Sequence, residues 1–220
     1  MAWAGGVSAP LIQSGGKIRA RGFVVAFFLF LCILSPLHTA PQEIWVDFGT
    51  SMRYLANSQD PGLGMSWIDP AFDDTGWSDG TYGVGFEIQG GAEYLLQTQV
   101  PPGTLSVFTR ATFDVTDATQ IQSLMLGVDY DDACVVYLNG SEVYRSPEMP
   151  TGVLDWDSVP SLHESSNGTI PVYDYLDLAS TGIPLLVDGA NVLAVAVWNA
   201  SADSSDLVLV PRLLANLEAD

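Results

Sequence analysis

The chain has 220 residues, 48% of them hydrophobic, with seven lysines and arginines against 26 aspartates and glutamates and a formal charge of −19. Such a field repels the phosphates of nucleic acid and of anionic lipid, so neither is an expected partner. The hydrophobic content is that of a globular protein and excludes a disordered chain.

Lys17, Arg19 and Arg21 lead directly into GFVVAFFLFLCIL, residues 22–34. That run falls short of the about 20 apolar residues a membrane-spanning helix needs. A basic lead, a short apolar run and the small residues of SPLHTA (35–40) predict a secretory signal peptide over 1–40. A secreted protein, extracellular or periplasmic, is expected, with no membrane insertion once the leader is cleaved. The leader holds three of the seven basic residues and no acid. Residues 41–220 therefore carry Arg53, Arg110, Arg145 and Arg212 against 26 acids, a formal −22. That length suits one domain with a real core.

Residues 56–106 are rich in glycine, proline, aspartate and aromatics and read as a long loop. Within it, Phe72-Asp73-Asp74-Thr75-Gly76-Trp77 predicts an aspartate turn pinned by its two aromatics. VFTRATFDV (107–115) alternates, with Val107, Ala111, Phe113 and Val115 on one face. In SLMLGVDY (123–130), Leu124, Leu126 and Val128 share a face. ACVVYL (133–138) and EVYR (142–145) flank Asn139-Gly140, which supplies the positive φ angles of a tight hairpin. Cys134 alternates with Val136 and Leu138, and Cys32 lies in the leader; a buried, unpaired and unreactive thiol is expected. Residues 146–182 form a second long loop. NVLAVAVW (191–198) is apolar on both faces, as a central strand would be. LVLVPRLL (207–214) closes the chain, with Pro211 marking an edge or a bulge. No segment has long helical periodicity. The expected fold is all-β: a single two-sheet antiparallel β-sandwich over 41–220.

Several stretches, taken in order, resemble a known family. MRYLANSQDPGLGMSWIDPAFDDTGWSDGTYGVGF (52–86) resembles the opening of galactose-binding-domain-like jelly-roll modules of secreted bacterial proteins. FTRATFDV, DYDDACVVYLNGSEVYR (129–145) and LLVDGANVLAVAVWNASADSSDLVLVPRL (185–213) look like that family's later strands and hairpin. Ala133 stands where the family usually has glycine. The resemblance covers nearly all of 44–215. It implies a jelly roll and a noncatalytic, carbohydrate-binding-module-like role, often as an accessory to a larger extracellular hydrolase.

Three groups of residues carry candidate chemistry. Asp129, Asp131 and Asp132 cluster before the hairpin. They suit backbone N–H groups in a turn, a pairing with Arg110, or Ca²⁺, which takes hard oxygen ligands. Sugar recognition needs aromatic faces beside polar groups. Trp156, flanked by Asp155 and Asp157, is the leading candidate, with Trp67 and Tyr82 beside it. His163 is the one histidine after the leader, and no nucleophile or metalloprotease motif accompanies it. The function expected is glycan binding, calcium-assisted and without catalysis. The alternatives are a small secreted glycoside hydrolase using two loop carboxylates, and a structural or adhesion module that binds protein.

Overall fold

The computed structural model describes residues 41–217, so the signal-peptide reading of 1–40 lies outside the described residues. In chain order the strands are β1 Gln42–Val46, β2 Ser51–Asn57, β3 Ser78–Thr81, β4 Val84–Glu87, β5 Thr98–Gln99, β6 Ser106–Val115, β7 Ile121–Asp131, β8 Ala133–Leu138, β9 Ser141–Arg145, β10 Leu176–Asp177, β11 Gly189–Trp198 and β12 Asp206–Leu217. They form two six-stranded sheets. One runs β10-β7-β12-β4-β5, with β1 also on β12; the other runs β3-β2-β6-β11-β8-β9. Pairing is antiparallel except for the short β4–β5 contact. The expected two-sheet β-sandwich is the fold.

The alternation of the long strands places the core. Leu193, Val195 and Val197 of β11 face inward with Val107 and Phe113 of β6, meeting Leu126 of β7 and Leu207 and Leu209 of β12. The opposite face of β11 is covered as well. Ala194, Ala196 and Trp198 pack with Phe108 and Tyr137 under Trp67, Trp77, Met149 and Leu154 from the long loops. This second apolar layer explains why β11 is hydrophobic on both sides, and it gives the loops a structural task.

Cys134 is fully buried and free, and burial raises its thiol pKa well above the ordinary value. Asn139 and Gly140 both have positive φ, 48° and 84°, and β8 pairs with β9 across them as the Asn-Gly pair requires.

Two sequence expectations need correction. The supposed loop 56–106 contains β3, β4 and β5, and the supposed loop 146–182 contains β10. These strands are only two to four residues long, too short to show alternation above the surrounding glycines. Pro211 lies inside β12, opposite Val128 of β7. It is tolerated because, on the other side, β4 pairing ends at Leu209 and β1 pairing begins at Leu213. The missing N–H thus falls at a position with a neighbouring strand on one side only.

Candidate functional site

Arg110 does not serve the aspartates that precede the hairpin. Its side chain is buried and donates to the Asp74 carboxylate at 2.7 Å and to the carbonyls of Trp67 and Asp69, while stacking over Phe72. It is the internal peg of the 67–74 loop. Asp73 closes the neighbouring turn by accepting from the Thr75 N–H and hydroxyl. Phe72 meets Trp77 edge-on, as the pinned turn requires.

The three aspartates divide their work. Asp129 accepts from the Ser166 N–H at 2.8 Å, the Ser166 hydroxyl and the Val172 N–H at 3.0 Å. Asp132 accepts from the His163 N–H at 3.1 Å and the Ala200 N–H at 2.7 Å. Both therefore hold loops against the end of β7. Asp131 differs. Its Oδ1 is buried with no hydrogen-bond partner, and the residue is 2% exposed. Leaving a buried acceptor unpaired costs about 1–3 kcal/mol.

Asp131 has other company. Asp131, Glu164 and Asp206 each offer a carboxylate oxygen, and these atoms lie within 4.8 Å of one another. Burial, then the charges of Asp206, Asp132 and Glu164, push the Asp131 carboxyl up to about 8. Asp206 is also raised, chiefly by burial. Because the Asp131 carboxyl is raised on folding, its contribution to stability is fully present below the ordinary value of 3.8. That contribution is lost as pH rises through about 8. The group can hold a metal ion, since hard divalent cations take such oxygens. The sequence grouped Asp131 with its neighbours Asp129 and Asp132. The fold groups it instead with residues 33 and 75 positions away, because β12 pairs beside β7 with Val208 opposite Asp131. No local pattern marked Glu164, and the Asp203–Asp206 turn reads from the sequence as structural rather than as a source of a metal ligand.

The same end of β7 borders a cleft of about 280 Å³. β10 pairs with β7 only at Met125 and Leu126, so the rest of that margin is covered by the 163–172 loop. Tyr144 of β9, at the margin of the other sheet, lines the opposite side. His163 stacks on Tyr130 with ring centres 4.3 Å apart and planes 14° from parallel, and its Nδ1 lies 3.1 Å from the Tyr130 carbonyl. Burial raises both Tyr130 and Tyr144, so their phenols stay protonated at neutral pH. The Tyr130 hydroxyl donates to Glu148 at 3.0 Å. Asp129, Glu164, Ser165 and Ser166 complete a lining of rings, hydroxyls and carboxylates.

The aromatic candidates fare differently. Trp67 is fully buried, stacked on Phe108 at 4.5 Å and edge-on to Tyr137. Tyr82 is also fully buried, its hydroxyl 3.1 Å from that of Thr109. Neither has a face to offer a ligand; a glycine- and aspartate-rich context suggested exposed loops, but these rings are core. Trp156 is half-buried against the second apolar layer. Asp155 spends its carboxylate on the Trp156 N–H and its carbonyl on the Trp198 indole, while Asp157 is exposed. The sequence did not single out Tyr144 or the Tyr130–His163 stack, which forms because the loop carrying His163 returns to the end of β7.

No protein-family model matches the chain, and no curated protein does. Among solved structures, a Bacteroides uniformis β-glucuronidase matches at 15% identity and a TM-score of 0.48, over 80% of this chain and 18% of that one. A glycosyl hydrolase family 2 member from Bacteroides cellulosilyticus DSM 14838 matches at 12% identity and 0.45, over 80% and 21%. An uncultured Clostridium sp. β-glucuronidase matches at 16% identity and 0.44, over 84% and 31%. The chain thus spans less than a third of the length of each.

Proposed function

We propose that the protein is a secreted, noncatalytic module that binds glycan, with calcium as a structural aid. The observation that carries this reading is the cleft between the margins of the two sheets. There, Tyr144 and His163, which stacks on the buried Tyr130, stand beside the exposed carboxylates of Glu164 and Asp174. Sugars are recognised by this pairing of ring faces with groups that bond hydroxyls. The resemblance to galactose-binding-like jelly rolls supports the same role.

A glycan array, followed by titration of the best ligand, tests it. Tyr144→Ala and His163→Ala should each weaken binding about tenfold or more, which corresponds to about 1.4 kcal/mol. Loss of binding in Trp156→Ala, with both cleft variants unaffected, would move the site to the Asp155–Asp157 loop. Release of reducing sugar from a bound oligosaccharide would overturn the noncatalytic assignment and favour the glycosidase.

A protein-binding module is the second reading. Val153, Val159, Leu162, Ile170 and Val172 are large apolar residues left exposed on the second long loop. A silent array together with capture of a protein partner lost in Leu162→Asp would favour it.

A further inference from the structure

We propose that Asp131, Glu164 and Asp206 form a divalent-cation site of calcium size that ties the 163–166 loop to the ends of β7 and β12. Three observations converge on it. The carboxylate oxygens already lie within 4.8 Å of one another. Oxygens that close can share one ion, and calcium accepts irregular, flexible oxygen sets whereas magnesium demands near-ideal octahedral geometry.

The second observation is the unpartnered Oδ1 of Asp131. This residue is 2% exposed, and its carboxylate belongs to the cluster. Asp129 and Asp132, two residues and one residue away, are supplied with backbone N–H donors. The fold thus satisfies the neighbours and leaves this oxygen without a partner.

The third is the placement of positive charge. The described residues contain no lysine and four arginines. Arg53 pairs with Asp79, Arg110 with Asp74, Arg145 with Glu142 and Arg212 with Asp47. None serves the cluster. Asp132 and Glu87 add further negative charge to it. A bound cation compensates this charge without a side chain. Glu164 comes from the loop that walls the cleft, so the ion would fasten that wall whether or not the cleft takes a glycan.

Calorimetric titration of CaCl2 and MgCl2 into the chelator-treated full chain, at constant ionic strength, tests the site. The expected result is one saturable calcium site, with magnesium at least tenfold weaker. Asp131→Asn and Asp206→Asn should each weaken calcium at least tenfold. Because those residues are buried, Glu164→Gln provides an exposed variant whose fold is undisturbed, and it should also weaken calcium about tenfold. Asp203→Asn, on the exposed turn just before Asp206, should leave it unchanged. Absence of saturable heat, unchanged affinity in Glu164→Gln, or equal weakening in Asp203→Asn would overturn the proposal.

Discussion

The 67–74 loop and the 163–172 loop both lie against the sandwich and both carry carboxylates, yet they are held in opposite ways. The first is organised around a cation of the chain itself. Arg110 reaches Asp74 and several carbonyls, and the loop's aromatics cover the second apolar layer. The second is held by carboxylates and the His163–Tyr130 stack: Asp129 and Asp132 accept from its backbone, and Asp131, Glu164 and Asp206 gather without any arginine. A buried charge that the chain satisfies is part of the scaffold. A buried charge left unsatisfied marks the place where the molecule has room for something it does not encode.

The largest expected effect falls on the first loop. Arg110→Met removes one partner of a buried ion pair and should destabilise the fold by about 3–5 kcal/mol in chemical denaturation. Calcium should not alter that loss. Asp129→Asn comes next. It weakens charge-assisted bonds to Ser166 and Val172 and should cost about 2 kcal/mol. Gly140→Val, in the hairpin turn that lies against Ile68 and Pro70 of the first loop, forces a β-branched residue to φ 84° and should cost roughly 1 kcal/mol or more. A Gly140→Val protein of unaltered stability would show that the hairpin tolerates another turn.

The smallest effect is the most discriminating. In chelator, Asp131→Asn should cost less than about 1 kcal/mol, because the wild-type Oδ1 has no hydrogen-bond partner to lose. Its signature is in the pH profile. Wild-type protein in chelator should lose melting temperature between about pH 4 and pH 8, as the Asp131 carboxyl, raised to about 8, ionises inside the fold. Asp131→Asn should flatten that slope. A slope identical in both proteins would assign it to Asp206 or to other acids.

Much of the fold was legible because β6 and the inward positions of β8 alternate, β11 is a continuous apolar run and β8 ends in Asn-Gly. The buried thiol of Cys134 followed from the same alternation. The short strands β3 to β5 were not legible, since a few residues cannot establish a period. Trp67 and Tyr82 were misplaced because residue type marks an aromatic as a binder only when its exposure is known, and the second apolar layer hides Trp67. Of the proposed cation site, Asp131 alone stood out in the sequence as a metal ligand. Asp206 joins it through β7–β12 pairing and Glu164 through a loop returning to the same edge, and strand order and loop path are long-range properties that no local pattern carries.

Amide hydrogen exchange of the full chain, with and without millimolar CaCl2, tests most directly whether the uncompensated carboxylates hold a cation that fastens the second loop. Calcium should slow exchange across residues 163–172 and near Asp131 and Asp206 by about tenfold or more, and leave residues 67–77 unchanged. Exchange that calcium does not alter in 163–172, or alters equally in both loops, would contradict the account.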